Sequence, residues 1–426
     1  MTARFIVNGW SLNDDTVSLS YSCDGHTMRE ILTFPCPVTP GAVVSRLLDL
    51  LAIVAGVSYA KAFAPTTVAF PGVDICPSGL ELVTHTFDHG MREFAFENGM
   101  PLSSPFLIKD SARSVAHVAS ASDGAERPLI PFGGGRDSCV VASALRHLSP
   151  TLFTVGSNSR AQKIAATLGL DHLSVTREID PALLRMNSDG APNGHVPVTA
   201  INSLVSVIIA ELTGHTSVVM ANEKSASRPT RVVDGIEVNH QYSKSYAYER
   251  LLATAVRDTG SAVGYVSVLR NAPDRDISGA FARHCRSLHQ DFMSCNRATV
   301  RDASRRSDGW CNDCAKCRGV FLSLAPFLSS ASMVSMFGSD LLADPDQLDG
   351  FRALLTFDEK PFECVADVEE ARESMRVLAR DPEWTDHVVV RMLEQLAGEA
   401  VPSRTDLTAG DTKFDPEIRA FLGEPG

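Results

Sequence analysis

The sequence predicts an α/β fold centred on a doubly wound parallel sheet. An N-terminal α+β domain at residues 1–122 and a C-terminal helical region at 329–426 are expected to flank it. Three observations predict this. From Leu129, apolar strand-like runs alternate with helical patterns of ten or more residues, the mark of βαβ units. Before that point, short strands accompany one long helix-periodic stretch. After about residue 330 the pattern is mostly helical, so the sheet unit is assigned to 126–328.

RFIVNGW and TVSLSYSC read as strands separated by the turn-forming LNDD. GAVVSRLLDLLAIVAGVSYAKA has helical periodicity; Asp49 interrupts its apolar run, which is expected to be too short to cross a bilayer. AFPGVDICPSG, with two prolines and two glycines, is expected to be a loop, and ASASDGAERP (119–128) a linker. LIPF, TLFTVG, HLSVTRE and TSVVMA follow as strands. Between them lie the helical patterns DSCVVASALRHL, SRAQKIAATLG and VTAINSLVSVIIAELTG. VADVEEARESMRVLAR and DHVVVRMLEQLAG are acidic helices, and the last fifteen residues are expected to be loosely ordered.

At 426 residues the chain exceeds one ordinary core, and 44% apolar with 21% charged residues is a globular composition. The balance of 39 basic against 51 acidic residues argues against a nucleic-acid partner, which needs a positive surface. MTARFIVNGW has no apolar core of a signal peptide, so a cytoplasmic protein without a membrane partner is expected. Ten cysteines in that compartment point to metal binding or buried thiols before disulfides.

The turn PFGGGRDSCV (131–140) joins the first strand of the sheet unit to a helix. Glycines there let main-chain N–H groups approach an anion, and the helix adds its positive end. Gly133, Gly134, Gly135, Arg136, Asp137 and Ser138 are therefore candidate phosphate-binding residues. Ser138 can donate to a phosphate oxygen; Asp137 can cap the helix or hold phosphate-bound Mg2+. Because ligands bind beyond the carboxyl ends of such strands, GGGRDS, GSNS (156–159) and NEKSAS (222–227) should share one edge. GGGRDS resembles the S-G-G-x-D-S loop of the PP-loop ATP pyrophosphatases, with Gly133 in the serine position. That resemblance implies an adenine nucleotide alpha hydrolase-like core, cleavage of ATP between the α and β phosphates, and a loop that holds the pyrophosphate.

Cys295, Cys311, Cys314 and Cys317 form C-x15-C-x2-C-x2-C. Four thiolates satisfy tetrahedral Zn2+ and leave no open position, so a zinc here is structural. An iron–sulfur cluster is the other reading. The pattern is similar to the zinc site of PP-loop deazaguanine synthases. Arg297, Arg301, Arg305 and Arg306 between the cysteines read as a solvated loop or as contacts to a phosphate-bearing substrate. His195, before the long helix, and Glu223 and Lys224, after a strand, are the candidate catalytic residues. Cys139 and Cys364 are expected to pack in the core.

VAGVSYAKA, FDHGMREFAFENG, FGGGRDS, NGHVPVTAINS, NEKSAS, WCNDCAKC and KPFECVADVEEA resemble the UDP-N-acetylmuramoyl-L-alanyl-L-glutamate epimerase family (MurL) in order and spacing. Arg136 stands where lysine is expected. The resemblance implies inversion of the terminal L-Glu of UDP-MurNAc-L-Ala-L-Glu with ATP and Mg2+, releasing AMP and diphosphate. Two other readings share the expected nucleotide-binding core: a nucleobase- or tRNA-modifying enzyme, and a non-catalytic nucleotide-binding module.

Overall fold

The computed structural model describes residues 4–117, 125–299, 306–399 and 408–423. Its strands are β1 (Arg4–Asn13), β2 (Thr16–Cys23), β3 (His26–Thr33), β4 (Thr67–Ala69), β5 (Leu107–Ile108), β6 (Pro128–Pro131), β7 (Thr151–Val155), β8 (His172–Ile179), β9 (Ser217–Glu223), β10 (Arg231–Val233), β11 (Ile236–Val238) and β12 (Gly264–Leu269). Ten of them form one sheet in the order β12-β9-β6-β7-β8-β3-β2-β1-β4-β5, and β10 and β11 form a separate hairpin.

β12, β9, β6, β7 and β8 are parallel neighbours. Ranked by chain position, β8-β7-β6-β9-β12 reads 3-2-1-4-5, a doubly wound order that reverses between β6 and β9. Alternate residues point to opposite faces, as the pleat requires. Leu129, Phe153 and Val218 join one apolar cluster with helices Ala42–Ala55 and Val198–Thr213. Ile130, Leu152 and Val219 join another with helices Arg136–Ala144 and Ser159–Leu168. The expected parallel core is therefore present, covered on both faces.

The N-terminal strands extend this sheet. β3 pairs antiparallel with β8, bringing Leu32 opposite Arg177, and β2 and β1 follow antiparallel. The sheet thus runs across the expected boundary at 122–126. Part of the expected linker, 119–124, lies outside the described residues.

Three expectations are corrected. Ala42–Phe63 is 22 residues long and apolar enough to cross a membrane, because the helix continues past Gly56. Leu47, Leu51 and Val54 on it are fully buried in protein, which accounts for the composition. The end of AFPGVDICPSG is helical, since Pro77 opens helix Pro77–Phe87, where its fixed φ suits the first turn. Within the last fifteen residues, Asp415–Leu422 is a helix that packs Ile418 and Leu422 into the core.

Candidate functional site

β6, β7 and β9 deliver their carboxyl ends to one cleft. Gly133, Asp137 and Ser138 wall it after β6, Asn158 after β7, and Asn222 at the end of β9. About 1240 Å³ of space, open to solvent, lies between them. This is the topological switch point between β6 and β9, where such sheets leave room for a ligand. GGGRDS, GSNS and NEKSAS are thus brought together as expected.

The turn needs its glycines for local reasons. Gly134 has φ +80°, in the left-handed region. At Gly135 a Cβ would lie 2.8 Å from the Ser294 hydroxyl oxygen. Gly135 also caps helix Arg136–Ala144 without any side-chain cap, so no side-chain cap blocks the cleft end of that helix. Ser138 Oγ donates to the Gly135 carbonyl at 3.0 Å. Arg136 turns inward: it donates to Ser278 Oγ and Asp274 Oδ1, each at 2.6 Å, and to Asp137 Oδ1 at 2.7 Å. Its charge ties the loop to helix Asp274–His284.

A deeper pocket opens behind the cleft and shares Asp137, Asn222, Lys244 and Lys316 with it. Glu223 lines this pocket. Ser225 donates to its Oε1 at 2.7 Å, while Oε2 is buried without a partner. Burial, then Asp274 and Asp137, push its carboxyl up to about 8. Lys224 is not among the residues that wall either space; Lys244, twenty positions on, walls both.

Cys364 corrects its expectation. It is not core packing but part of the pocket wall, where Lys244 Nζ donates to its Sγ at 3.1 Å. Although burial raises its thiol, Lys244, Lys316 and His240 together hold it well below the usual cysteine range. His240 bonds the Cys364 sulfur and, through Nδ1, Glu93 Oε2 at 2.6 Å. Burial opposes its charge, but those two bonds push His240 up to about 9. His195 lies against His240, ring centroids 4.3 Å apart. Burial, then the positive charge of His240, Lys244 and Lys61, lower His195 to about 3, so it is neutral at pH 7. Cys139 is fully buried in the core, as expected.

The four cysteines converge. Their sulfurs lie within 4.8 Å of one another, with Cys314–Cys317 at 3.5 Å and Cys311–Cys317 at 3.8 Å. An ion about 2.3 Å from each of four tetrahedral sulfurs requires them to be about 3.8 Å apart, so the set fits one zinc. Cys314 also caps helix Ala315–Leu324 through the Cys317 N–H. The cluster borders the cleft: Cys295 walls it, and so does Lys316, between Cys314 and Cys317. Of the arginines between the cysteines, Arg297 pairs with Asp313 at 2.9 Å; Arg301 and Arg305 lie outside the described residues.

Glu93, His240, Lys244 and Cys364 are the site residues that residue-by-residue reading did not select. Glu93 and Cys364 do fall within FDHGMREFAFENG and KPFECVADVEEA, two of the segments that carry the family resemblance.

These features define a mixed α/β protein with a polar cleft at the carboxyl ends of parallel strands, bordered by a four-cysteine cluster. Residues 1–268 match the MurL N-terminal domain and residues 291–408 the MurL C-terminal domain. The chain belongs to the MurL family. It is 39% identical over 401 residues to a UDP-N-acetyl-alpha-D-muramoyl-L-alanyl-L-glutamate epimerase of Salinispora tropica, covering 91% of this chain and 87% of that protein. A protein of the same name from Micromonospora is 42% identical over 375 residues, 85% of this chain and 83% of its own. One from Xanthomonas oryzae is 37% identical over 400 residues, 92% and 88% of the two chains.

Proposed function

We propose that this chain is an ATP-dependent epimerase that inverts the terminal L-Glu of UDP-MurNAc-L-Ala-L-Glu to D-Glu, in the cytoplasm, during peptidoglycan precursor synthesis. The observation that carries this reading is near-full-length similarity to three proteins named for that epimerisation. The convergence of GGGRDS, Asn158 and Asn222 on one cleft supports ATP as the second substrate. The relatives' names favour this reading over a nucleobase- or tRNA-modifying enzyme and over a non-catalytic module.

The chemistry explains why an epimerase needs ATP. An α-hydrogen beside a carboxylate is barely acidic, because its removal places two negative charges on adjacent atoms. In the proposed sequence a carboxylate oxygen attacks the α-phosphorus of ATP and pyrophosphate leaves. The acyl-adenylate has lost the carboxylate charge. A base removes the α-proton, an acid returns one on the opposite face, and water releases AMP.

In this reading residues 126–328 form a PP-loop unit. Gly133, Gly134 and Gly135 shape the cradle for the departing pyrophosphate, and Ser138 donates to it. Asp137 holds Mg2+, and Arg136 fixes the loop to helix Asp274–His284. Glu223 is the sequence candidate for proton transfer that opens on the pocket. His195 acts from behind His240, and Lys224 from the turn after β9. Zn2+ at the four cysteines is structural, fixing Lys316 along the cleft.

The test is to incubate protein, ATP and Mg2+ with UDP-MurNAc-L-Ala-L-Glu and determine the glutamate stereochemistry. D-Glu should accumulate with one AMP and one pyrophosphate per inversion, and α-deuterium from D2O should enter only with ATP present. Inversion without ATP would overturn the adenylation step. Metal analysis should find about one zinc per chain; a brown, iron-containing protein would favour the tRNA-modifying reading.

A further inference from the structure

The mechanism leaves open which group removes the α-proton, and the inner pocket holds a set of side chains suited to it. Cys364 Sγ accepts a hydrogen bond from Lys244 Nζ at 3.1 Å and is bonded by His240. Glu93 Oε2 takes the other side of the imidazole at 2.6 Å and orients it. Glu223 lines the same pocket, and one of its carboxyl oxygens is buried without a partner. Lys244 belongs to both spaces, so this pocket continues the cleft that begins at the glycine turn.

We propose that Cys364 is the base that removes the glutamyl α-proton, with His240 and Glu93 as positioning residues and Glu223 as the opposing acid. The inference rests on the epimerase reading above. In the step, the Cα–H bond breaks, its proton forms S–H on Cys364, and its electron pair enters the enolate of the activated acyl group. The Glu223 carboxyl then gives its proton to the other face of Cα. The protons are reset when Cys364 loses one and Glu223 gains one, through solvent.

The group states agree with these roles. Against burial, the cationic neighbours of Cys364 lower its thiol and favour the thiolate, the form suited to a base. Burial and the carboxylates of Asp274 and Asp137 keep Glu223 protonated at neutral pH, suited to an acid. A thiolate with a Lys and a His beside it is also a nucleophile, so a thioester on Cys364 is the rival role.

The experiment separates the two half-reactions in the full-length protein. Substrate-dependent exchange of labelled pyrophosphate into ATP reports activation; α-deuterium incorporation from D2O reports proton transfer. Cys364→Ala and Cys364→Ser should retain pyrophosphate exchange and lose deuterium incorporation by about 10²–10⁴-fold, the usual size of an acid–base contribution. Two variants guard against a folding defect, which thermal unfolding monitors. Glu93→Gln should move the pH midpoint of Cys364 alkylation by iodoacetamide upward. Removing the carboxylate weakens the imidazolium that stabilises the thiolate, an effect that loss of packing alone does not produce. Wild-type deuterium incorporation in either folded Cys364 variant overturns the proposal. So does loss of both half-reactions in a folded variant, or a substrate thioester on Cys364 by intact mass spectrometry. Absence of pyrophosphate exchange in the wild type would instead overturn the activation step on which the proposal rests.

Discussion

Two buried glutamates mark the difference between the sheet seam and the pocket. Glu30 is fully buried where β3 meets β8, and Arg177 holds both its oxygens, Nε to Oε1 at 2.7 Å and Nη2 to Oε2 at 3.1 Å. Arg177 spends a further bond on Ser58 Oγ at 3.1 Å. Glu223 is 8% exposed, has one oxygen bonded to Ser225 and leaves the other unmatched at the edge of a cavity. Both sit on strands of one sheet. A saturated buried carboxylate holds elements together. One left unsaturated beside open space keeps its hydrogen-bonding capacity for a ligand, and its burial shifts it into a range useful for proton transfer.

The largest expected effect breaks the saturated pair. Arg177→Met leaves Glu30 buried without a cation and should cost about 3–5 kcal/mol of stability, read by denaturant unfolding. Pyrophosphate exchange per folded molecule should stay at the wild-type rate, because Arg177 lies outside the cleft lining. A loss under about 1 kcal/mol would mean that Glu30 is easily neutralised, and the two glutamates would differ in position alone.

Glu223→Gln should behave in the opposite way. Glu223 titrates near 8, so at pH 7 it is already neutral, and the amide mimics it. Stability should change by about 0.5 kcal/mol or less at about pH 4, where the carboxyl is protonated in the folded and unfolded chain alike. A carboxyl with a raised folded value loses its stabilising contribution as pH rises through that value. Wild type should therefore weaken relative to Glu223→Gln as pH rises from about 4.5 to about 8, and the difference should level off above that. Inversion should fall by about 10²-fold or more, with pyrophosphate exchange retained. A stability loss as large as that of Arg177→Met would show that the free oxygen has a structural partner.

How much of this was legible follows the same division. The glycine turn and the four cysteines are local: a positive φ, a helix start and a thiolate spacing leave signatures within a few residues. Four of the five parallel strands, β6 to β9, and helices Arg136–Ala144, Ser159–Leu168 and Val198–Thr213 were legible from period alone; β12 was not read. β3 was missed although its main signal is local: it pairs with β2 along its whole length through the Asp24-Gly25 turn, and only its further pairing with β8 spans some 150 residues. The proton-transfer set, by contrast, is nonlocal. Glu93, the His240–Lys244 turn segment and Cys364 come from a helix, a turn and a loop more than a hundred residues apart from one another. Glu223 was legible as a position at the end of β9. Its unmatched oxygen was not, since that depends on every neighbour.

The smallest effect sharpens the comparison at a third carboxyl, Asp49, which is raised by burial but walls neither the cleft nor the inner pocket. It sits on helix Ala42–Ala55, and its Oδ1 accepts from the Trp10 indole N–H at 2.8 Å. Burial raises it to about 6; the Trp10 bond opposes that shift, and the charge of Asp74 adds to it. Asp49→Asn keeps an acceptor for Trp10 and removes the charge. The raised folded value means that wild type has its full contribution below about pH 4 and loses it as pH climbs through 6. The variant does not titrate there, so its advantage should be absent at pH 4, grow to pH 6 and then level off. Discounted for partial exposure, it should reach about 1 kcal/mol at pH 8. Inversion should be unaffected, because Asp49 walls neither the cleft nor the inner pocket. If Asp49→Asn instead slowed inversion, a carboxyl raised by burial would suffice to mark function here, and the cavity beside Glu223 would lose its weight in the assignment.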